Sequence, residues 1–227
     1  MALGFPAAAR PRALLIDLDG TLVDSAPDLR LSLNRQLEPL GLGPLTLEQV
    51  KGMVGDGVRV LLTRALAACG AASDAAAVDA LLPGLMADYT AAPVVRTRPY
   101  PGVAETLAQL HRAGVALAVC TNKPLVPALR ILEALELRRL FSAVIGGDST
   151  PYRKPSPQPL QAALAALGCA PAEALMIGDG PHDAEGALAA GTGFVGVRYG
   201  YGSDWFTRHG TGLMLIDRFD ELAALAE

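Results

Sequence analysis

Residues 13–25 of the chain read A-L-L-I-D-L-D-G-T-L-V-D-S, an apolar run that passes into acidic residues. The run Ala13–Ile16 has no polar face, which is typical of a strand covered on both sides in the middle of a parallel sheet. Asp17 and Asp19 follow it in the pattern D-x-D-G, where the loop begins. We interpret this stretch as the first strand of a parallel sheet, with two carboxylates at its carboxyl end.

Further apolar runs occur later in the chain, and helix-length amphipathic stretches separate them. The runs are Val115–Cys120, Ala143–Ile145 and Ala174–Ile177, with weaker copies at Phe194–Val197 and Leu213–Ile216. One amphipathic stretch begins near Pro101 and stops at Gly114, and another extends from Pro157 to Leu167. Strands that alternate with helices predict an α/β fold with a doubly wound parallel sheet.

The interval between the first and second strands breaks this alternation. Residues from about Ser25 to Ala92 contain no convincing strand and four or so helical stretches, which is too much chain for one crossover. We therefore predict an inserted α-helical cap subdomain, whose return passes through Ala92-Pro93 and residues 98–101. The predicted catalytic core comprises residues 1–22 and 95–227, and the predicted cap comprises residues 23–94.

Composition and charge exclude several classes of protein. The 227 residues include 19 Lys and Arg against 23 Asp and Glu, and the chain has no basic run, so we expect binding to neither nucleic acid nor membranes. Three widely spaced cysteines predict neither a disulfide framework nor a zinc site. No secretory signal is evident, and no stretch approaches the roughly 20 apolar residues of a membrane span, so we expect a cytoplasmic protein.

The polar residues that follow the predicted strands form a candidate site, because open α/β sheets bind ligands beyond the carboxyl ends of their strands. These residues are Asp17, Asp19, Thr121, Asn122, Lys154, Asp179 and Asp183. Carboxylates gathered at one edge repel each other unless they share a cation, and carboxylate oxygens without His or Cys favour Mg²⁺. We expect Asp17, Asp19 and Asp179 to hold Mg²⁺, with Asp183 as a further ligand or as a partner of the ligands.

The same residue types suit phosphoryl transfer. Asp17 is a candidate nucleophile toward phosphorus, with Lys154 and Mg²⁺ offsetting the charge repulsion. Asp19 is placed to protonate the leaving alcohol and later to deprotonate a water. Thr121 is placed to hold phosphoryl oxygens. Alternatively, Asp17 and Asp19 only cap a turn, but the matching polar residues at the other strand ends favour a catalytic site.

Four motifs in order resemble those of the haloacid dehalogenase-like phosphatase superfamily. They are D-L-D-G-T-L-V-D-S at 17–25, T-N-K-P at 121–124, Lys154-Pro155, and Gly178-Asp179 with Asp183. The resemblance implies a Mg²⁺-dependent phosphatase of a small phosphorylated metabolite, with Thr121, Asn122 and Lys154 binding the phosphate. The insertion is similar to the helical cap of the first type in that superfamily.

Longer strings resemble the phosphoglycolate phosphatases within that superfamily, namely residues 17–29, 144–148 and 198–202. This resemblance implies hydrolysis of 2-phosphoglycolate to glycolate and phosphate. The alternatives are a phosphatase or phosphomutase of the same superfamily acting on a sugar phosphate, a nucleotide or pyrophosphate. A catalytically silent binding module is a more remote alternative.

Two features bear on specificity. The fourth motif has Gly180 where the family usually has serine. His182 follows it, and we expect this histidine to be a surface loop residue. The alternative is that His182 contacts the metal or a substrate carboxylate. The Gly-rich cap loop 53–59 is expected to approach the catalytic loops. Arg59 and Lys51 are the candidate partners of a substrate carboxylate, and the alternative is that both are solvated helix charges.

Overall fold

The structure, a computed structural model, describes residues 10–91 and 94–226. Its strands are β1 (Ala13–Ile16), β2 (Val23–Asp24), β3 (Arg98–Pro99), β4 (Ala116–Cys120), β5 (Ala143–Ile145), β6 (Ala174–Gly178), β7 (Gly193–Val197) and β8 (Met214–Ile216). Six of them form a parallel sheet in the order β5-β4-β1-β6-β7-β8. The six predicted strands and the predicted fold class are confirmed.

Strand β1 lies in the interior of the sheet because its residues are apolar on both faces. All four are fully buried, and alternate residues pack into the two hydrophobic clusters on opposite faces of the sheet. In the register, Ile16 pairs with Val119 of β4 and with Ile177 of β6. Because parallel neighbours in this register end at the same edge, the residues that follow β1, β4 and β6 lie next to one another.

Helices cover both faces of the sheet. The described residues include α1 (Ala26–Leu37), α2 (Leu47–Lys51), α3 (Val58–Ala68), α4 (Ala75–Ala91), α5 (Val103–Arg112), α6 (Leu125–Ala134), α7 (Gln158–Leu167), α8 (Pro181–Ala190) and α9 (Ser203–His209). Buried side chains of α5 and α6 pack on one face, and those of α7, α8 and α9 pack on the other. Helix α7 ends where Gly168 takes the left-handed conformation with φ of 60°.

The first four helices form the predicted insertion, which we call the cap. Strands β2 and β3 pair in antiparallel fashion, so the chain enters and leaves the cap side by side. The predicted return through Ala92-Pro93 lies outside the described residues, and the predicted boundaries of core and cap stay a prediction. Among the described residues, no helix combines the length and the apolar character that crossing a membrane requires. The three cysteines are free thiols.

Asp28, in the first turn of α1, fixes the segment that returns from the cap. Its carboxylate accepts hydrogen bonds from the backbone N–H of Val95 at 3.0 Å and of Thr97 at 2.8 Å, and from the Thr97 hydroxyl at 2.7 Å. Hydrogen bonds to an ionised acceptor are stronger than those between neutral groups. Asp28 therefore determines where the cap meets the core.

Candidate active site

Three buried carboxylates meet at the carboxyl edge of the sheet. Asp17 follows β1, Asp179 follows β6, and Asp183 lies in the first turn of α8. One oxygen from each lies within 4.8 Å of the other two, and we call this group the acid cluster. Lys154 supplies the positive charge, because its Nζ lies 2.8 Å from Asp17 Oδ1 and 2.6 Å from Asp183 Oδ1. Residues that are distant in sequence thus form one charged centre, as the strand ends predict.

Burial changes the acidity of the acid cluster. It raises the pKa of Asp179 to about 8, and the nearby carboxylates of Asp183 and Asp17 add to the shift. Burial also raises the pKa of Asp17 to about 6, although the Lys154 ammonium opposes this rise. Three carboxylates against one ammonium favour a further cation, and a set of carboxylate oxygens suits a hard divalent ion. The residues present therefore fit a divalent metal.

Asn122 positions Lys154. Its Nδ2 donates to the Lys154 carbonyl at 2.9 Å and to the Gly55 carbonyl of the cap at 2.9 Å, and its Oδ1 accepts from the Lys154 N–H at 2.9 Å. Both amide hydrogens are therefore used. The Asn122 side chain therefore holds the backbone of Lys154 and the cap loop, and its expected role in phosphate binding stays a prediction.

Asp19 lies outside the acid cluster. Its carboxylate contacts Lys123, whose Nζ lies 3.1 and 3.0 Å from the two oxygens, and it accepts from the Ser25 hydroxyl at 2.5 Å. Asp183 lies in the acid cluster, whereas the Asp19 side chain contacts Lys123 and Ser25, and the expected contribution of Asp19 to a metal site stays a prediction. No role is predicted for Lys123 from the sequence, although its position in the T-N-K-P motif could have indicated one.

The segment 198–202 packs directly on Asp179. The Gly202 N–H donates to Asp179 Oδ2 at 3.0 Å. A Cβ on Gly200 would lie 2.2 Å from the Asp179 Cβ, and a Cβ on Gly20 would lie 2.4 Å from Asp179 Oδ2. Two glycines thus make room for this carboxylate. In the sequence, Gly20 and Gly200 belong to the longer stretches that resemble related phosphatases, but the sequence does not indicate that they pack against Asp179.

The cap loop 53–59 lies against the core, as the sequence predicts. The Asn122 contact to Gly55 joins it to the loop after β4, and Asp56 Oδ1 lies 2.7 Å from His182 Nε2 of the core. His182 is therefore half-buried under the cap instead of lying in an exposed loop. Asp56 also pairs with Arg64 of α3 at 2.6 Å.

The two cap residues proposed to bind a substrate carboxylate do not lie at the site. Arg59 Nη2 contacts Asp79 Oδ1 of the cap at 2.6 Å, and Lys51 Nζ contacts Glu48 Oε1 at 3.2 Å. Both acids belong to the cap itself, so the two cations are paired within the cap. Arg64 lines the cavity beside the acid cluster instead.

Two cavities meet at Asp17 and Asp19, which line both. The polar cavity of about 340 Å³ contains the acid cluster with Lys154, and Arg64 and His182 lie on its other side. The apolar chamber of about 60 Å³ lies between the core and the cap helices, and Thr121 lines it. Thr121 is buried, and its hydroxyl oxygen accepts from the Lys123 N–H at 3.2 Å. The proposed nucleophile and the proposed acid therefore lie between a charged cavity and an apolar one.

The arrangement matches a known family. A family model described as haloacid dehalogenase-like hydrolase matches residues 14–197, which include every residue of the acid cluster. The chain belongs to this haloacid dehalogenase-like hydrolase family. The match confirms the resemblance drawn from the four motifs.

Individual members of this family are similar over nearly the whole chain. A phosphoglycolate phosphatase of Rhodospirillum rubrum is 41% identical over 96% of this chain and 90% of its own. A phosphoglycolate phosphatase of Cereibacter sphaeroides is 44% identical over 83% of this chain and 85% of its own. The crystal structure of a predicted phosphoglycolate phosphatase of Haemophilus somnus has a TM-score of 0.89 and 31% identity, and covers 97% of this chain and 100% of its own. The haloacid dehalogenase-like chain is an enzyme of the phosphomonoester hydrolase class.

Proposed function

We propose that the chain is a Mg²⁺-dependent phosphatase that converts 2-phosphoglycolate to glycolate and phosphate through an aspartyl-phosphate on Asp17. The observation that carries the proposal is the acid cluster, in which three buried carboxylates lie together and two of them, those of Asp17 and Asp183, pair with the Lys154 ammonium. The oxygen ligands support Mg²⁺, and the names of the similar proteins support the substrate. The proposed substrate is a small phosphorylated metabolite.

In the first half-reaction, Lys154 and the Thr121 hydroxyl bind phosphoryl oxygens and orient phosphorus toward Asp17. A carboxylate oxygen of Asp17 forms a bond to phosphorus while the bond from phosphorus to the glycolate oxygen breaks. Asp19 gives its proton to that oxygen, so that glycolate leaves as the alcohol. The carboxylates of Asp17, Asp179 and Asp183 would hold Mg²⁺, which would supply positive charge that offsets the repulsion between a carboxylate and a phosphate.

The second half-reaction frees Asp17. Asp19, now ionised, removes a proton from water, whose oxygen attacks phosphorus and releases phosphate together with the original carboxylate. The contacts from Ser25 and Lys123 hold the Asp19 carboxylate in one place for both steps. The cap loop above the polar cavity restricts access of bulk water to the intermediate.

Two variants test the two roles. Asp17→Asn removes the nucleophile, so we expect phosphate release from 2-phosphoglycolate to be lost. Asp19→Ala keeps the nucleophile but removes the acid and base, so we expect kcat to fall by about 10²–10⁴-fold. Mass spectrometry of the quenched Asp19→Ala reaction should show a phosphorylated chain. Retained turnover in Asp17→Asn would exclude Asp17 as the nucleophile.

Substrate and metal are tested on the unmodified enzyme. Phosphate release is measured with 2-phosphoglycolate, sugar phosphates, nucleoside monophosphates and pyrophosphate, after chelation and after addition of Mg²⁺ or Ca²⁺. We expect turnover only with Mg²⁺ restored and the highest kcat/KM with 2-phosphoglycolate. A higher kcat/KM for another substrate would leave the phosphatase chemistry but exclude the proposed substrate.

A further inference from the structure

The apolar chamber contains a small group of polar side chains that the mechanism uses only in part. Its apolar walls come mainly from the cap, including Leu61 of α3 and Leu85 and Met86 of α4. Its polar members include Asp19, Lys123 and, from helix α4, Tyr89. An apolar pocket with a few converging polar groups is the usual form of a site for a small organic molecule.

Tyr89 is the unusual member of this set. The residue is only 4% exposed, and its hydroxyl is buried without a hydrogen-bond partner among the described residues. A buried tyrosine hydroxyl normally has a partner, because leaving it unpaired costs free energy. The Lys123 ammonium lies 4.3 Å from the centroid of the Tyr89 ring and contacts Asp19 on its other side. Because an ammonium only donates, Lys123 leaves the hydrogen of the Tyr89 hydroxyl without an acceptor among the described residues.

The chamber lies where a leaving group would be. Asp17 and Asp19 line both cavities. In phosphoryl transfer the attacking oxygen and the leaving oxygen are roughly in line, so phosphorus must lie between the Asp17 carboxylate and the leaving oxygen. The polar cavity holds the acid cluster and Lys154, which the proposed mechanism uses to bind the phosphoryl group. The organic part of the substrate therefore has its space on the side of Asp19 and the cap.

The size of the chamber limits what enters it. Its volume of about 60 Å³ corresponds to roughly four to six water-sized groups, at about 10–15 Å³ for each. Glycolate, with two carbons and three oxygens, has this size, whereas a sugar or a nucleoside is far larger. The chamber thus has room for a short leaving group.

We propose that the apolar chamber is the leaving-group site and that Tyr89 determines specificity, by donating its hydroxyl to the carboxylate of a short leaving group beside Lys123. This inference rests on the proposed function, because it assigns a place to the glycolate part of the substrate. Tyr89 takes no part in the making or breaking of bonds in this proposal. Its role is to favour substrates whose leaving group carries a carboxylate.

The experiment compares two substrates in one variant. Tyr89→Phe removes the hydroxyl and keeps the ring, and 2-phosphoglycolate is compared with ethyl phosphate, which has the same length without the carboxylate. We expect kcat/KM for 2-phosphoglycolate to fall by about ten- to a hundredfold, mainly through KM, as for the loss of a hydrogen bond to a charged group. The value for ethyl phosphate should stay unchanged. Tyr152→Phe, at a residue that is 59% exposed, is the matched control and should change neither value.

The outcomes separate this inference from the proposed function. If the unmodified enzyme hydrolyses other phosphomonoesters better than 2-phosphoglycolate, the proposed function is wrong. If it prefers 2-phosphoglycolate and Tyr89→Phe keeps that preference, the role of Tyr89 is wrong and the function stands. Met86→Ala, at a half-buried wall residue, tests the site itself and should raise kcat/KM for propyl phosphate relative to ethyl phosphate. An unchanged ratio would overturn the assignment of the chamber.

Discussion

His182 of the core and Asp56 of the cap are in direct contact, with 2.7 Å between His182 Nε2 and Asp56 Oδ1. His182 follows the acid cluster residue Asp179 by three positions, and Asp56 lies in the Gly-rich cap loop. The same Asp56 carboxylate pairs with Arg64 at 2.6 Å. One cap carboxylate thus connects helix α3 to the start of helix α8, and all three residues line the polar cavity.

Loss of this contact should weaken substrate binding more than folding. His182→Ala removes one hydrogen bond of about 1 kcal/mol between cap and core, so KM for the substrate should rise by about three- to tenfold. Steady-state kinetics and thermal unfolding measure the two effects. His111→Ala, at an exposed residue of α5, is the control and should leave KM unchanged. A normal KM in His182→Ala would show that this contact between cap and core does not contribute to substrate binding.

Lys154 should be important for stability as well as for activity. Lys154→Met leaves the carboxylates of Asp17 and Asp183 buried without their shared ammonium, which costs on the order of 3–5 kcal/mol. We expect urea unfolding in a chelator to show this loss, and phosphate release to be lost. Lys51→Met removes only an exposed pair with Glu48 and should cost less than about 1 kcal/mol. Equal losses in both variants would contradict the buried charge centre.

The metal-free protein should lose stability as the pH rises. Burial raises the pKa of Asp17 to about 6 and of Asp179 to about 8, whereas both carboxyl groups of the unfolded chain ionise near their model value of 3.8. Between about pH 4 and pH 8 the folded state therefore binds more protons than the unfolded state, and the free energy of unfolding falls as the pH rises.

A bound cation should reverse this trend, because it favours the ionised carboxylates. The measurement is urea unfolding across about pH 5–8, with a chelator and with excess Mg²⁺. Asp179→Asn removes the group with the larger shift, so its metal-free stability should depend less on pH. A metal-free wild type whose stability is as flat as that of Asp179→Asn would contradict the prediction.

Gly180 should tolerate the serine that the family pattern has at this position. Its backbone is extended, with φ of −147° and ψ of −178°, and a Cβ there would meet nothing nearer than the Gly202 Cα at 4.0 Å. Because Gly180 is the N-cap of α8, Gly180→Ser should raise stability by a few tenths of a kcal/mol, about the usual difference between the two residues. Activity should stay within about twofold, a change below about 0.5 kcal/mol.

Gly200→Ala is the contrasting variant. Its Cβ would lie 2.2 Å from the Asp179 Cβ and 2.4 Å from the Gly20 carbonyl oxygen, so Asp179 would have to move. We expect weaker Mg²⁺ binding, seen as a higher Mg²⁺ concentration for half-maximal activity. If Gly180→Ser and Gly200→Ala behaved alike, the tight packing of residues 198–202 on Asp179 would not matter for the site.

Much of the fold, and the charged residues Asp17, Asp179 and Lys154 of the site, could be predicted from local patterns. Apolar runs with no polar face are typical of central strands, and parallel strands in register carry the residues after them to one edge. For that reason the meeting of Asp17, Asp179 and Lys154 followed from the sequence. The direction of a side chain beyond the strand end could not be predicted from the sequence. The turn after β1 directs Asp19 to Lys123 and Ser25 instead of to the acid cluster.

What the sequence by itself determined is therefore the strand order along the chain, the helical insertion and the identity of the charged residues at the strand ends. Only the tertiary structure decided which cap residues reach them. Arg59 and Arg64 lie on the same helix, five residues apart, and at about 100° per residue they point in directions about 140° apart. Arg59 therefore pairs with Asp79 of the cap, whereas Arg64 lines the polar cavity. Which side of helix α3 faces the core depends on how the cap packs. The contacts of Tyr89, His182 and Asn122 likewise arise through packing between segments far apart in the chain.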